Sequence, residues 1–166
     1  ASGGASHFTF PVSVHRNGEF FGLYDVVEQG DVEYLERIGR DPNGALYKVN
    51  NALNSSTNNV DKVSRRFEGN DDLQELINAA RMSNSNGLVW DYDNLDLADM
   101  INYLAVQTLI LNRDFGHKNM YWYFDTNGSQ LWSIFPWDVD LSFGHNWNST
   151  DTYFDDTMFT TGGLRS

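Results

Sequence analysis

The sequence predicts an α+β fold: a small β-rich part comes first, and a helical part follows that carries one more β-hairpin. Three observations predict it. Strand-forming stretches flank Asn17-Gly18 near the start of the chain. Helical spacing of apolar residues begins at Asp71 or Asp72, and the run from Leu95 to Leu111 is apolar on most sides toward its end. A second Asn-Gly pair, Asn127-Gly128, lies between two stretches of alternating large side chains.

The elements follow in order. Phe8 to His15 and Glu19 to Glu28 read as strands joined at Asn17-Gly18, the strongest two-residue hairpin signal. Asp31 can cap a short helix in which Val32, Leu35 and Ile38 share a face, with Gly39 ending it. Asp41-Pro42-Asn43-Gly44 is a turn, and Ala45 to Val49 a third strand. Asn50 to Arg66 is polar and rich in Asn and Ser, and reads as a loop able to touch a substrate. The next helix places Leu73, Leu76, Ile77 and Ala80 on one stripe. Ser83 to Asp93 reads as a loop. Asp93 or Asn94 then caps the longest helix, Leu95 to Leu111, expected to be buried and central. Trp122, Trp132, Trp137 and Trp147 read as packing residues.

That helix runs into Asn112-Arg113-Asp114-Phe115-Gly116-His117-Lys118-Asn119, then the hairpin, then Pro136-Trp137-Asp138-Val139-Asp140. An Asp, an Asn five positions on and a second Asp after a hairpin form the acidic skeleton of a phosphoryl-transfer site. The first Asp accepts a hydroxyl proton, and the Asn and later Asp hold metal ions against phosphates. With Asn127 and Gly128 at the centre of a two-residue turn, Tyr123 faces Trp132, Tyr121 faces Ile134 and Asn119 faces Pro136. Asp138 then lies on the face of Asn119, roughly 7 Å along the strand, and Asp140 falls there too if the strand continues. Taken singly, Asp114 could end a helix, Asn119 cap a strand, and Asp138 and Asp140 be solvated loop acids. Three such residues around a converging hairpin favour the site.

Lys48, at a strand end, suits the α/β-phosphates of a nucleotide, with Glu28 to orient it. The competing reading is a surface pair contributing under about 1 kcal/mol. Small β-lobe, central helix, catalytic loop, hairpin and metal-binding Asp is a kinase order of elements.

The segment from Val14 to His145 resembles the CotH family of atypical kinases. The resemblance rests on Asn17-Gly18-Glu19-Phe20-Phe21-Gly22-Leu23-Tyr24, Val27-Glu28, Gly44-Ala45-Leu46-Tyr47-Lys48 and Asn102-Tyr103-Leu104-Ala105-Val106. It continues through Asn112-Arg113-Asp114, Asn119-Met120-Tyr121-Trp122-Tyr123 and Pro136-Trp137-Asp138-Val139-Asp140-Leu141-Ser142-Phe143-Gly144, the most specific block. It implies an atypical protein-kinase-like fold that binds ATP with Mg²⁺ or Mn²⁺ and phosphorylates Ser in coat or secreted proteins. Asp114 would be catalytic, Asn119, Asp138 and Asp140 metal ligands, and Lys48 and Glu28 nucleotide-side residues. It also implies a spore-coat, cell-surface or extracellular setting. Family members carry further sequence ahead of the Asn-Gly-Glu hairpin, so the chain is expected to be a single domain truncated at its N-terminus. Residues 1–6 and 160–166 read as linker or leader.

Composition bounds the alternatives. A chain of 166 residues with 40% hydrophobic and 14% aromatic content suits one folded domain. A net charge of -12 argues against nucleic acid or anionic membrane as partner. It suits divalent cations and a basic Ser/Thr-containing substrate, and serves equally as a solubility feature. With no cysteine there is neither disulfide nor thiol chemistry. No apolar run approaches a membrane span, so no membrane insertion is expected. The competing function is a pseudokinase or surface adhesin using the same fold for binding. A calcium- or carbohydrate-binding module has only acidity and Trp content in its favour.

Overall fold

A computed structural model describes residues 4–53 and 56–145. Trp147 and residues 160–166 lie outside them. Among the described residues the architecture is mixed: four helices and two antiparallel sheets.

Strands β1 (Thr9–Arg16) and β2 (Glu19–Val27) form a ribbon of their own. Asn17 and Gly18 both take positive φ, 53° and 86°, as a tight two-residue hairpin turn requires. Among the described residues the ribbon joins no other strand, and Phe10, Phe20, Phe21 and Leu23 are exposed on it. Helix α1 (Val32–Arg37) follows, and the Asp31 carboxylate accepts the Tyr34 N–H at 3.0 Å as the sequence predicts. Residues 4–6, read as leader, lie against this region. Ala5 packs on the core around Tyr34 and Leu35, and the Ser6 carbonyl accepts from Arg37 at 2.6 Å.

The larger sheet has the order β4 (Val60–Lys62), β3 (Ala45–Val49), β5 (Met120–Phe124), β6 (Trp132–Pro136). Period two gives it two covered faces. Leu46, Tyr121, Tyr123 and Phe135 pack against Tyr34 and Leu35 of α1. Ala45, Tyr47 and Trp132 pack against Leu73, Leu76 and Ile77 of α2 (Asp71–Ala80). On that second face Val49, Met120 and Ile134 meet Tyr103 of α4 (Leu97–Leu109).

Four expectations are corrected. The segment 50–66 is not all loop: it contains β4, whose short ladder to β3 supplies the pairing that polar residues conceal. The segment 83–93 is largely helix α3 (Ser85–Asn94), started by Asn84, whose side chain accepts from the N–H groups of Asn86 and Gly87. The cap of α4 is Asp96, accepting from Asp99 at 3.2 Å, while Asn94 donates to the Trp90 carbonyl inside α3. Nor is α4 buried all round. It buries Tyr103 and Gln107, while Ile101 and Leu109 are 65% and 79% exposed.

The hairpin register is also corrected. Tyr123 pairs with Ser133 and Phe124 with Trp132, one residue from the expected ladder. Asn127-Gly128 is not a two-residue turn, because Asp125 closes a longer loop. Its carboxylate accepts from Ser129 N at 2.7 Å and Ser129 Oγ at 2.9 Å, and Gln130 turns through φ 58° to donate to the Asp125 carbonyl. In this register an ideal ladder would put Asn119 and Asp138 on opposite faces.

Candidate active site

The site is built where α4 ends. Leu111 takes φ 50°, and the chain enters a loop whose first polar residue is wholly buried. Asn112 Nδ2 donates to Gln107 Oε1 at 2.8 Å, and Asn112 Oδ1 accepts the Asp114 N–H at 2.9 Å. An Asx turn tied to the helix therefore sets the backbone of Asp114. Phe115 drops into the core beside Val49, Tyr103, Met120 and Ile134. Gly116, at φ 99°, turns the chain toward β5. From the other side, residues 138–143 clamp the loop: Arg113 N donates to Leu141 O at 2.9 Å and Phe143 N to Ile110 O at 2.5 Å.

Asp114 is 2% exposed. Its Oδ2 accepts from Asn119 Nδ2 at 2.7 Å and from Lys118 Nζ at 3.0 Å. Its Oδ1 is buried with no hydrogen-bond partner among the described residues. Asn119 Nδ2 also lies 3.3 Å from the Asp114 carbonyl and 3.4 Å from the Asp138 carbonyl. Every neighbour of that amide is an acceptor, so its nitrogen faces them and its oxygen is the end left for a cation.

Despite the shifted register Asn119 and Asp138 approach, through the Asn119 amide nitrogen and the Asp138 main-chain carbonyl. Both take left-handed backbone, at φ 60° and 50°, which breaks the strict alternation of faces at the base of the hairpin. Trp137 between them still donates its N–H to the Asn119 carbonyl at 3.0 Å. Two non-glycine residues in this region store strain, a feature that concentrates at functional sites.

The Asp138 carboxyl is held above the usual carboxylate range. Partial burial is the main cause, followed by the charges of Asp140 and Asp114, and Lys118 and Lys48 oppose it. Asp138 and Asp140 line a cavity of about 430 Å³ with His7, Gln29, Trp137 and Val139. Lys48 sits with its ammonium 4.5 Å above the Trp137 ring and makes no ion pair among the described residues. It lines a neighbouring cavity of about 640 Å³ that shares Gln29 with the first and includes Lys62 and Arg66.

Glu28 does not orient Lys48. Its carboxylate is taken by Arg37, with Nε 2.6 Å from Oε1 and Nη2 2.5 Å from Oε2, and it also accepts the Phe8 N–H at 2.9 Å. The guanidinium fork of Arg37, one turn along α1, fits a carboxylate better than a distant ammonium does. Three contributors carried no signal of their own in the sequence: Lys118 on Asp114, the Gln107–Asn112 support and Trp137 beneath Lys48. Each depends on a loop turn or strand pairing that spacing alone does not reveal.

Among the described residues no group of three or more His, Asp or Glu side chains is arranged to hold a metal. The donor chemistry nonetheless fits a hard divalent ion. Mg²⁺ is commonly held by one or two carboxylates with phosphate and water completing its shell. Asp138, raised by partial burial and by like charge, offers such a carboxylate, and its main-chain carbonyl lies 3.4 Å from the Asn119 amide nitrogen.

Compared with known proteins, residues 2–163 match the family model described as CotH kinase protein. No curated protein matches the chain.

Proposed function

Given that the chain belongs to the CotH kinase family, whose membership suggests a kinase-like function, we propose that it takes part in metal-dependent transfer of the ATP γ-phosphate to Ser or Thr of a basic protein. The observation that carries this reading is the knot of Asp114, Asn119 and Asp138. One amide nitrogen lies 2.7 Å from the carboxylate of the first and 3.4 Å from the carbonyl of the last.

In this reading Asp114 is the base that receives the acceptor hydroxyl proton. Asn119 and Asp138, with Asp140 beside them, hold Mg²⁺ or Mn²⁺, which when bound neutralises charge on the phosphates. Lys48 answers the α/β-phosphates as a point charge, kept in place over Trp137 and in no ion pair among the described residues. Glu28 belongs to the scaffold, tying β2 to α1 through Arg37. The negative net charge favours a Lys/Arg-rich acceptor, and the family points to an extracellular, cell-surface or spore-coat protein as its bearer. No helix among the described residues is long and apolar enough to cross a membrane.

A second reading, a pseudokinase or adhesin-type binding module, is favoured by the β1–β2 ribbon with its exposed aromatic residues. Radiolabelled ATP with Mg²⁺ or Mn²⁺, a Lys/Ser-rich peptide and an acidic control peptide separates the two. Label on the basic peptide that disappears in Asp114→Asn supports the kinase. No label on any acceptor, with Asp114→Asn indistinguishable from the parent, supports the binding module.

A further inference from the structure

We propose that Lys118 is a positioning residue of the transfer: together with Asn119 it occupies Asp114 Oδ2, leaving Oδ1 as the one oxygen that receives the acceptor proton. The inference rests on the kinase reading above. It starts from an asymmetry. A carboxylate has two oxygens of equal basicity and about four acceptor sites. In Asp114 both described donors fall on Oδ2, at 2.7 Å from Asn119 and 3.0 Å from Lys118, while Oδ1 is buried and has no partner among the described residues. An acceptor atom left unpaired in a buried position costs free energy, and such exceptions call for a reason. A substrate hydroxyl donating to Oδ1 supplies one.

Lys118 is suited to this task. Its side chain, 24% exposed against 3% for that of Asp114, brings a cation to a carboxylate that solvent scarcely reaches. Its charge compensates a buried anion that would otherwise be held by neutral donors alone. Asn119 without Lys118 would leave the carboxylate able to rotate about its last torsion, which is broad and two-fold. With two donors on one oxygen, the other points to a single place. There the acceptor O–H proton passes to Oδ1. The acceptor oxygen bonds to the γ-phosphorus as that phosphorus parts from the bridging oxygen, which leaves with ADP, and Asp114 later releases the proton to water.

The test uses the whole chain with Lys118→Met and Lys118→Arg. In the unliganded protein, the Asn119 side-chain amide signals in NMR should move in Lys118→Met and lie near their parent positions in Lys118→Arg. With Mn²⁺-ATP and the Lys/Ser-rich peptide, Lys118→Met should lower kcat about 10²-fold, the scale of a misplaced base, and leave KM for both substrates within about threefold. Lys118→Arg should recover most of that loss. Unmoved amide signals, or an unchanged kcat, would overturn the inference while an active parent keeps the kinase reading. A loss expressed mainly in KM for ATP would also overturn it, since Lys118 would then be a phosphate-binding residue. A parent that transfers no phosphate refutes the kinase reading and this inference with it.

Discussion

At the scale of single residues, two carboxylates in one site have opposite surroundings. Asp114 is buried and held by an amide and an ammonium, whereas Asp138 is more exposed and raised in pKa by partial burial and then by the charges of Asp140 and Asp114. The first suits a positioned base, the second a ligand whose charge a cation would relieve. Asp138→Asn should therefore weaken Mn²⁺-ATP binding by about 10²-fold, while Asp114→Asn leaves it within about threefold and abolishes transfer. Calorimetric titration of both variants checks this, and equal losses of affinity would contradict the roles. His7 offers a second residue-scale expectation. It stacks on Tyr34 at 4.2 Å, its ring nitrogen Nδ1 bonds the Glu28 carbonyl at 3.0 Å, and burial holds its pKa below the usual 6.5. The folded protein thus resists a proton that the unfolded chain accepts. Stability linked to His7 is complete above pH 6.5 and is lost as pH falls through the lower folded value. His7→Phe, which keeps the stacking, should flatten the decline of Tm on the acid side. Melting curves across about pH 5 to 8 would show it, and parallel slopes would rule it out.

At the scale of elements, local chemistry decides where α3 and the hairpin begin and end. Asn84 starts α3 with two side-chain bonds, and Gly87 lies in its first turn. Alanine normally improves a helix over glycine by about 1 kcal/mol. Here a Cβ on Gly87 would stand 2.3 Å from the Met82 carbonyl oxygen and 2.9 Å from its Cβ, so the backbone would have to move. Gly87→Ala should destabilise the protein by about 1–3 kcal/mol, the scale of overpacking. Urea unfolding measures it, and a gain in stability would show that α3 tolerates a wider approach to residue 82. In the hairpin, the Asp125 carboxylate sets the loop length and with it the register of β5 on β6. An ideal ladder in that register would separate Asn119 from Asp138, yet with both backbones left-handed the Asn119 amide nitrogen lies 3.4 Å from the Asp138 carbonyl.

For the whole molecule, charge and ligand linkage dominate. The chain carries a net charge of -12, yet Lys48, Lys62 and Arg66 line one cavity, on the proposed phosphate side. A basic peptide should be drawn to the outer surface and the phosphates to that cavity. KM for a Lys/Ser-rich peptide should rise several-fold between about 0.01 and 0.15 M salt as the Debye length shrinks, while that for ATP changes less. Steady-state kinetics at the two salt levels test this, and equal salt dependence would argue against an acidic docking surface. Because ligand that binds only the folded state raises the midpoint of unfolding, Mn²⁺ with ATP should shift Tm further than either alone, and Asp138→Asn should cancel the shift. An unaltered Tm for the parent would separate this fold from nucleotide binding.

Much of this protein was determined by sequence through short-range physics. Asn17-Gly18 demands positive φ, Asp31 supplies a cap, and Leu73, Leu76 and Ile77 can share a buried stripe only on a helix. The order Asp114, Asn119, Asp138 is legible for the same reason, since it is a spacing along the chain with a hairpin inside it. Tertiary structure decided the rest. β4 exists because β3 is there to pair with it, and α3 because Asn84 and its packing on α2 outweigh poor helix formers. Glu28 belongs to Arg37 and not to Lys48 because α1 folds back onto the end of β2. The register turned on Asp125, whose side chain competes with the backbone for Ser129, a contest that an Asn-Gly dipeptide does not disclose. The Asp114 carboxylate and the Asn119 amide meet because a buried carboxylate must find its donors, and the Asp138 main-chain carbonyl lies 3.4 Å from the same amide nitrogen.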